Sequence, residues 1–64
     1  MRNPERIDII LELLKELWKK DPDLRLGQII LKASQLGGWK QDDVFFCEDD
    51  MLQEGLVKLR GILK

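Results

Sequence analysis

Apolar residues along the first third of the chain fall at Ile7, Ile10, Leu11, Leu14, Leu17 and Trp18. Spacings of three and four residues build one continuous stripe on a helix, so this pattern predicts a first helix over 4–20. Ile9 and Leu13 widen the stripe on one side. Leu26, Ile29, Ile30, Ala33 and Leu36 repeat the period and predict a second helix over 24–36. Leu52, Leu56, Leu59 and Leu63, flanked by Met51 and Val57, predict a third over 49–60. Between Trp39 and Cys47 the large apolar residues follow neither helical spacing nor strict alternation. An ordered loop is expected there, with a short extended piece from Val44 to Cys47. The fold class that follows is all-α: a compact three-helix domain with a short extended segment before the last helix.

The ends of these elements carry their own signals. Asn3 is a natural N-cap, Pro4 suits the first helical position and Glu5 complements the helix dipole. Pro22 excludes the helical conformation at Asp21 and so closes the first helix near Lys20. Asp23 is expected to cap the second helix, and Gly37-Gly38 to stop it, with Gly37 in the left-handed position. Gly27 lies inside the second helix, where glycine costs roughly 1 kcal/mol relative to alanine. It is expected to admit a close approach of the first helix near Trp18. Glu12 with Lys15, Glu16 with Lys19 and Lys20, and Glu54 with Lys58 are spaced as intrahelical ion pairs.

Three stretches carry a family resemblance: Arg6-Ile7 through Leu14-x-x-Leu17-Trp18, PDLRLGQII from Pro22 to Ile30, and FFCEDDML from Phe45 to Leu52. In order and spacing they resemble the YihD-like family of small uncharacterised prokaryotic proteins. The resemblance implies a compact helical protein and implies no activity.

Composition narrows the functional classes. A chain of 64 residues buries only about 60% of its unfolded surface. Domains this small usually need a disulfide, a metal or a partner chain. Cys47 is the single cysteine and histidine is absent, so neither an intrachain disulfide nor a Cys/His zinc site can form. Self-association is the remaining staple. MRNPERIDIILELL carries Asp8 and Glu12 inside its apolar run and does not read as a targeting segment. No stretch approaches the roughly 20 apolar residues of a membrane span. A cytoplasmic protein is expected, and one unpaired cysteine fits a reducing compartment. Charged residues are 36% of the chain yet sum to −1, which gives no bulk attraction to nucleic acid or anionic lipid.

The total conceals a polarised distribution. Asp42, Asp43, Glu48, Asp49 and Asp50 are five of the twelve acids, and no base interrupts them. Carboxylates so clustered can hold a divalent cation through oxygen ligands or share a proton in catalysis. Their spacing matches no calcium loop, however. A helix start explains them better, with Glu48 or Asp49 as cap and the following acids beside unpaired N–H groups. The same acids oppose a reactive thiolate at Cys47, since negative charge raises a thiol pKa. Ser34 is the only serine and has no base partner. No enzyme activity, cofactor or metal is expected.

Two binding surfaces can be read from the pattern. On the second helix Arg25, Gln28, Lys32 and Gln35 form an acid-free face of base-reading side chains, behind a tight turn like that of a helix-turn-helix unit. Asp21 and Asp23 would repel phosphates at its entering end, so nucleic acid is not the expected partner. Apolar residues exceed what one small core can hold. Trp18, Trp39, Phe45, Phe46, Ile9, Leu13 and Leu31 are therefore the candidate interface residues, and a homo-oligomer, most simply a dimer, or another protein is the expected partner.

Overall fold

The computed structural model describes residues 3–63. Three helices follow one another: α1 Glu5–Lys20, α2 Leu26–Leu36 and α3 Asp49–Ile62. No strand occurs among the described residues. The radius of gyration is 11.1 Å, close to the roughly 11 Å of a compact chain of this length. No helix among the described residues is long and apolar enough to cross a membrane.

Local chemistry sets the ends. Pro4 already has helical angles (φ −66°, ψ −15°), and the Asn3 Oδ1 accepts the Glu5 N–H at 2.9 Å, so Asn3 performs the capping. Asp21 leaves the helix at φ −140°, ψ 79°, as the following proline requires. The cap expected at Asp23 is corrected. The Trp18 indole donates to the Leu24 carbonyl at 2.8 Å, which removes that oxygen from helical bonding. The first helical acceptor is instead Arg25, bonded by the Ile29 N–H at 3.1 Å. Arginine offers no acceptor for a cap, and half of a capping box replaces it: the Gln28 Oε1 accepts the Arg25 N–H at 2.9 Å.

The glycine pair at the end of α2 also divides differently. Gly37 is helical, and Gly38 takes the left-handed position at φ +107°. The Trp39 N–H bonds the Ser34 carbonyl at 2.9 Å and the Gly38 N–H bonds that of Gln35 at 3.1 Å, the two bonds of a Schellman ending. Val44–Cys47 is not extended. Its ends close a turn, with the Cys47 N–H on the Val44 carbonyl at 3.0 Å, and Glu48, the residue before α3, is extended. Helix α3 continues through Gly61 to Ile62, beyond the expected 60, where the Lys20 ammonium donates to the carbonyls of Arg60 and Leu63.

Helix α3 packs against both other helices, whereas α1 and α2 touch little along their lengths. Against α2 it runs antiparallel. Ala33 faces Gly55 and Gly37 faces Met51, so matching contacts recur every four residues. Against α1 it runs parallel: Arg6 pairs with Asp49 at 2.7 Å at one end and Glu16 with Arg60 at 2.7 Å at the other. Glu16 therefore bonds across helices rather than within α1. Glu54 and Lys58 do pair within α3, at 3.7 Å. Leu13, Leu17, Ile29, Ala33, Leu56 and Leu59 form the buried core. On α1 the buried face is centred on Leu13 and Leu17, so the stripe is rotated from the expected one, and Ile7 and Leu11 lie in solvent.

Two glycines exchange their expected roles. A Cβ on Gly27 would meet nothing within 4 Å, so Gly27 admits no neighbouring helix. A Cβ on Gly55 would overlap the Ala33 carbonyl, and one on Gly37 would overlap that of Met51. The same chemical change is thus expected to have opposite signs at two sites. Gly55→Ala should destabilise by roughly 2 kcal/mol or more through backbone overlap. Gly27→Ala should stabilise by up to about 1 kcal/mol through helix propensity. Urea unfolding followed by circular dichroism measures both, and equal effects would contradict this packing.

Candidate functional site

The segment between α2 and α3 is built around Asp43 and Trp39. The Trp39 indole, half-buried, donates to the Asp43 carbonyl at 2.7 Å. The Asp43 carboxylate accepts the Phe45 N–H at 2.9 Å, an Asx turn that starts the bend closed by Cys47 and Val44. At its tip Phe45 and Phe46 are 76% and 71% exposed. Their rings meet edge to face, with centroids 4.8 Å apart and planes at 77°. Such a pair is stabilised by the ring quadrupoles, and the hydrogen-bonded turn beneath fixes its place.

The other expected interface residues separate by burial. Ile9 is exposed and Leu31 half-buried. Leu13 belongs to the core and presents nothing to a partner, a correction that follows from the rotated stripe. Trp18 is half-buried, packed on the core edge with its N–H spent on Leu24. A surface absent from the expected set lies beside it. Ile7 and Leu11 are 50% and 56% exposed, and an open groove of 510 Å³ runs along Leu11, Leu14, Lys15, Trp18, Lys19 and Pro22. Spacings of four, three and four from Ile7 to Trp18 are the signal in the sequence that marks this second stripe.

The acidic residues do not converge. Among the described residues no three of Asp, Glu and Cys are arranged to hold a metal ion. Asp43 is turned into its loop, Asp49 pairs with Arg6, and the Asp50 Oδ1 accepts the Met51 N–H at 2.8 Å. Glu48 stands at the N-cap, with Asp49 and Asp50 in the first turn of α3. Cys47 is half-buried and its thiol pKa is raised, first by burial and then by Asp49, Glu48 and Asp50. Ser34 is fully buried, its hydroxyl donating to the Leu31 carbonyl at 2.6 Å. On α2, Arg25, Gln28, Lys32 and Gln35 are all exposed, and the Gln28 amide oxygen is engaged by the helix start.

The chain belongs to the family described as protein of unknown function (DUF1040), whose sequence model matches residues 1–62. This is the YihD-like family of small proteins, in agreement with the resemblance read from the three motifs. No curated protein and no solved structure matches the chain.

The Cys47 environment generates a prediction. A thiol raised in the folded state favours the fold while protonated. That contribution is complete below the unfolded thiol pKa and is lost as pH rises through the folded one. Iodoacetamide labelling of the native protein should therefore have its midpoint at higher pH than labelling of the urea-unfolded chain. Coincident midpoints would contradict the thiol's surroundings described above.

Proposed function

We propose that the protein is a small interaction module that associates with itself, without catalytic activity, in the reducing environment of the cytoplasm. The observation that carries this reading is accessible surface beyond what a free monomer of this mass exposes, with large apolar side chains among it. The accessible area is 4882 Å² for a mass of 7.5 kDa. A folded monomer of that mass exposes about 4250 Å². The excess is roughly 600 Å², comparable with the ~800 Å² that each partner contributes to a standard interface.

Two apolar surfaces support the reading. One is the Phe45–Phe46 turn, whose hydrogen-bonded frame lowers the entropy lost on binding. The other is the outer face of α1 with Ile7 and Leu11. The balanced charge of −1 leaves two copies free of strong mutual repulsion. A nucleic-acid role through Arg25, Gln28, Lys32 and Gln35 draws less support. Gln28 is occupied at the helix start, and α1 does not brace α2 as the first helix of a helix-turn-helix unit would.

Light scattering at tens of micromolar should give the mass of a dimer. Association should change by less than about threefold between 0.1 and 0.5 M salt, because its driving force is apolar. A monomer under these conditions overturns the reading. Nucleic-acid affinity that falls steeply with salt and with Arg25→Ala would replace it with the rival.

A further inference from the structure

The exposed stripe of α1 has the register of a helix–helix seam. Ile7, Leu11, Leu14 and Trp18 are separated by four, three and four residues. At 100° per residue they occupy an arc of roughly 60°, narrow enough to face one partner helix. This arc is distinct from the core face of Leu13 and Leu17. Within the chain it is covered only in part: Leu14 and Trp18 pack against the core edge, whereas Ile7 and Leu11 are exposed and the groove from Leu11 to Pro22 is open. Helix α1 thus buries one face on α3 and leaves a second apolar face partly open to solvent.

We infer that this face is the contact between two copies of the chain, with the two α1 helices antiparallel about a two-fold axis. The inference rests on the self-association proposed above and names the surface responsible. Two observations select a second copy as the occupant, and the charge pattern selects its direction.

First, the stripe complements itself when one helix is reversed. Leu11 then meets Leu14 of the second copy and Ile7 meets its Trp18, and the two-fold repeats both pairs. Second, the charges beside the stripe match only in that direction. Asp8 and Lys15 each follow a seam residue by one position on the solvent side, and both are exposed. Among the described residues neither takes part in an ion pair within the chain. Reversal sets Asp8 beside Lys15 of the second copy, twice per dimer. In a parallel pair the same flank of each helix falls on opposite sides of the seam, so Asp8 and Lys15 would find no such partner.

Sedimentation equilibrium of the whole chain and four variants tests this, with circular dichroism confirming that each is helical. Wild type should dimerise at micromolar concentration, and Leu11→Asp should abolish the dimer. Asp8→Lys should weaken it about tenfold, and Asp8→Lys combined with Lys15→Asp should restore most of the loss. Ile62→Ser, at an exposed apolar position outside both surfaces, should leave it intact. The charge exchange keeps the test decisive if Leu11→Asp does not fold. A dimer indifferent to Leu11→Asp and Asp8→Lys, or lost in Ile62→Ser, overturns the seam while self-association stands. Failure of the double exchange to recover overturns the antiparallel register. A monomeric wild type overturns self-association and the seam together.

Discussion

The approach of α3 to α2 at Gly55 is the contact on which the remaining structure depends. Gly55 lies against the Ala33 carbonyl with no room for a Cβ, and one turn away Gly37 lies equally close to Met51. Helices separated only by backbone atoms and small residues cannot slide or rotate without overlap, so this crossing fixes the register of α3. It also aims Leu56 and Leu59 at the core, where Ile29 from α2 and Leu13 and Leu17 from α1 meet them. A larger residue at Gly55 would therefore disturb the seat of α1 as well as the local crossing.

Helix α1 enters this arrangement with support from one side only. Its core face packs on α3, and ion pairs tie it at both ends, Arg6 to Asp49 and Glu16 to Arg60. Solvent-accessible pairs of this kind, the first of them part-buried, contribute on the order of 0–1 kcal/mol each, so they orient α1 more than they stabilise it. The two tryptophans make the loops match the helices. Trp18 fixes the α1–α2 connection through the Leu24 carbonyl, and Trp39 fixes the α2–α3 connection through that of Asp43. Residues that composition alone would assign to an interface are here partly spent on turning the chain.

The helices were legible because apolar periodicity, Asn3, Pro4, Pro22 and the glycine pair all pointed the same way. What was illegible depends on contacts between distant segments. A glycine reads the same in solvent at Gly27 and under a carbonyl at Gly55, since the difference lies in the neighbouring helix. Asp23 had the side chain of a cap, and it was overridden by an indole five residues earlier in the chain. At the candidate site, Phe45 and Phe46 could be singled out because no period accommodates them. Leu11 and Leu13 exchange roles: periodicity places Leu11 within the stripe and Leu13 on its flank, and only the position of α3 decides that Leu13 is the buried one.

That breadth has a physical meaning. A helix packed on a single neighbour needs an apolar arc for that neighbour, and any further arc costs solubility unless it is covered. The α1 arc from Ile9 through Leu13 to Trp18 is wider than α3 covers, and the charges bordering its open side change from acidic at Asp8 and Glu12 to basic at Lys15 and Lys19. For a 64-residue chain without disulfide or histidine, covering the second arc would add buried surface where the fold has least to spare. Under the proposed association, folding and docking would be linked by mass action: docking of folded copies would draw unfolded chain from the equilibrium, and stability would rise with protein concentration. Under the proposed pairing, the exposed Ile7 and Leu11 would be covered by a second copy, adding buried apolar surface to α1 on the side that α3 leaves open.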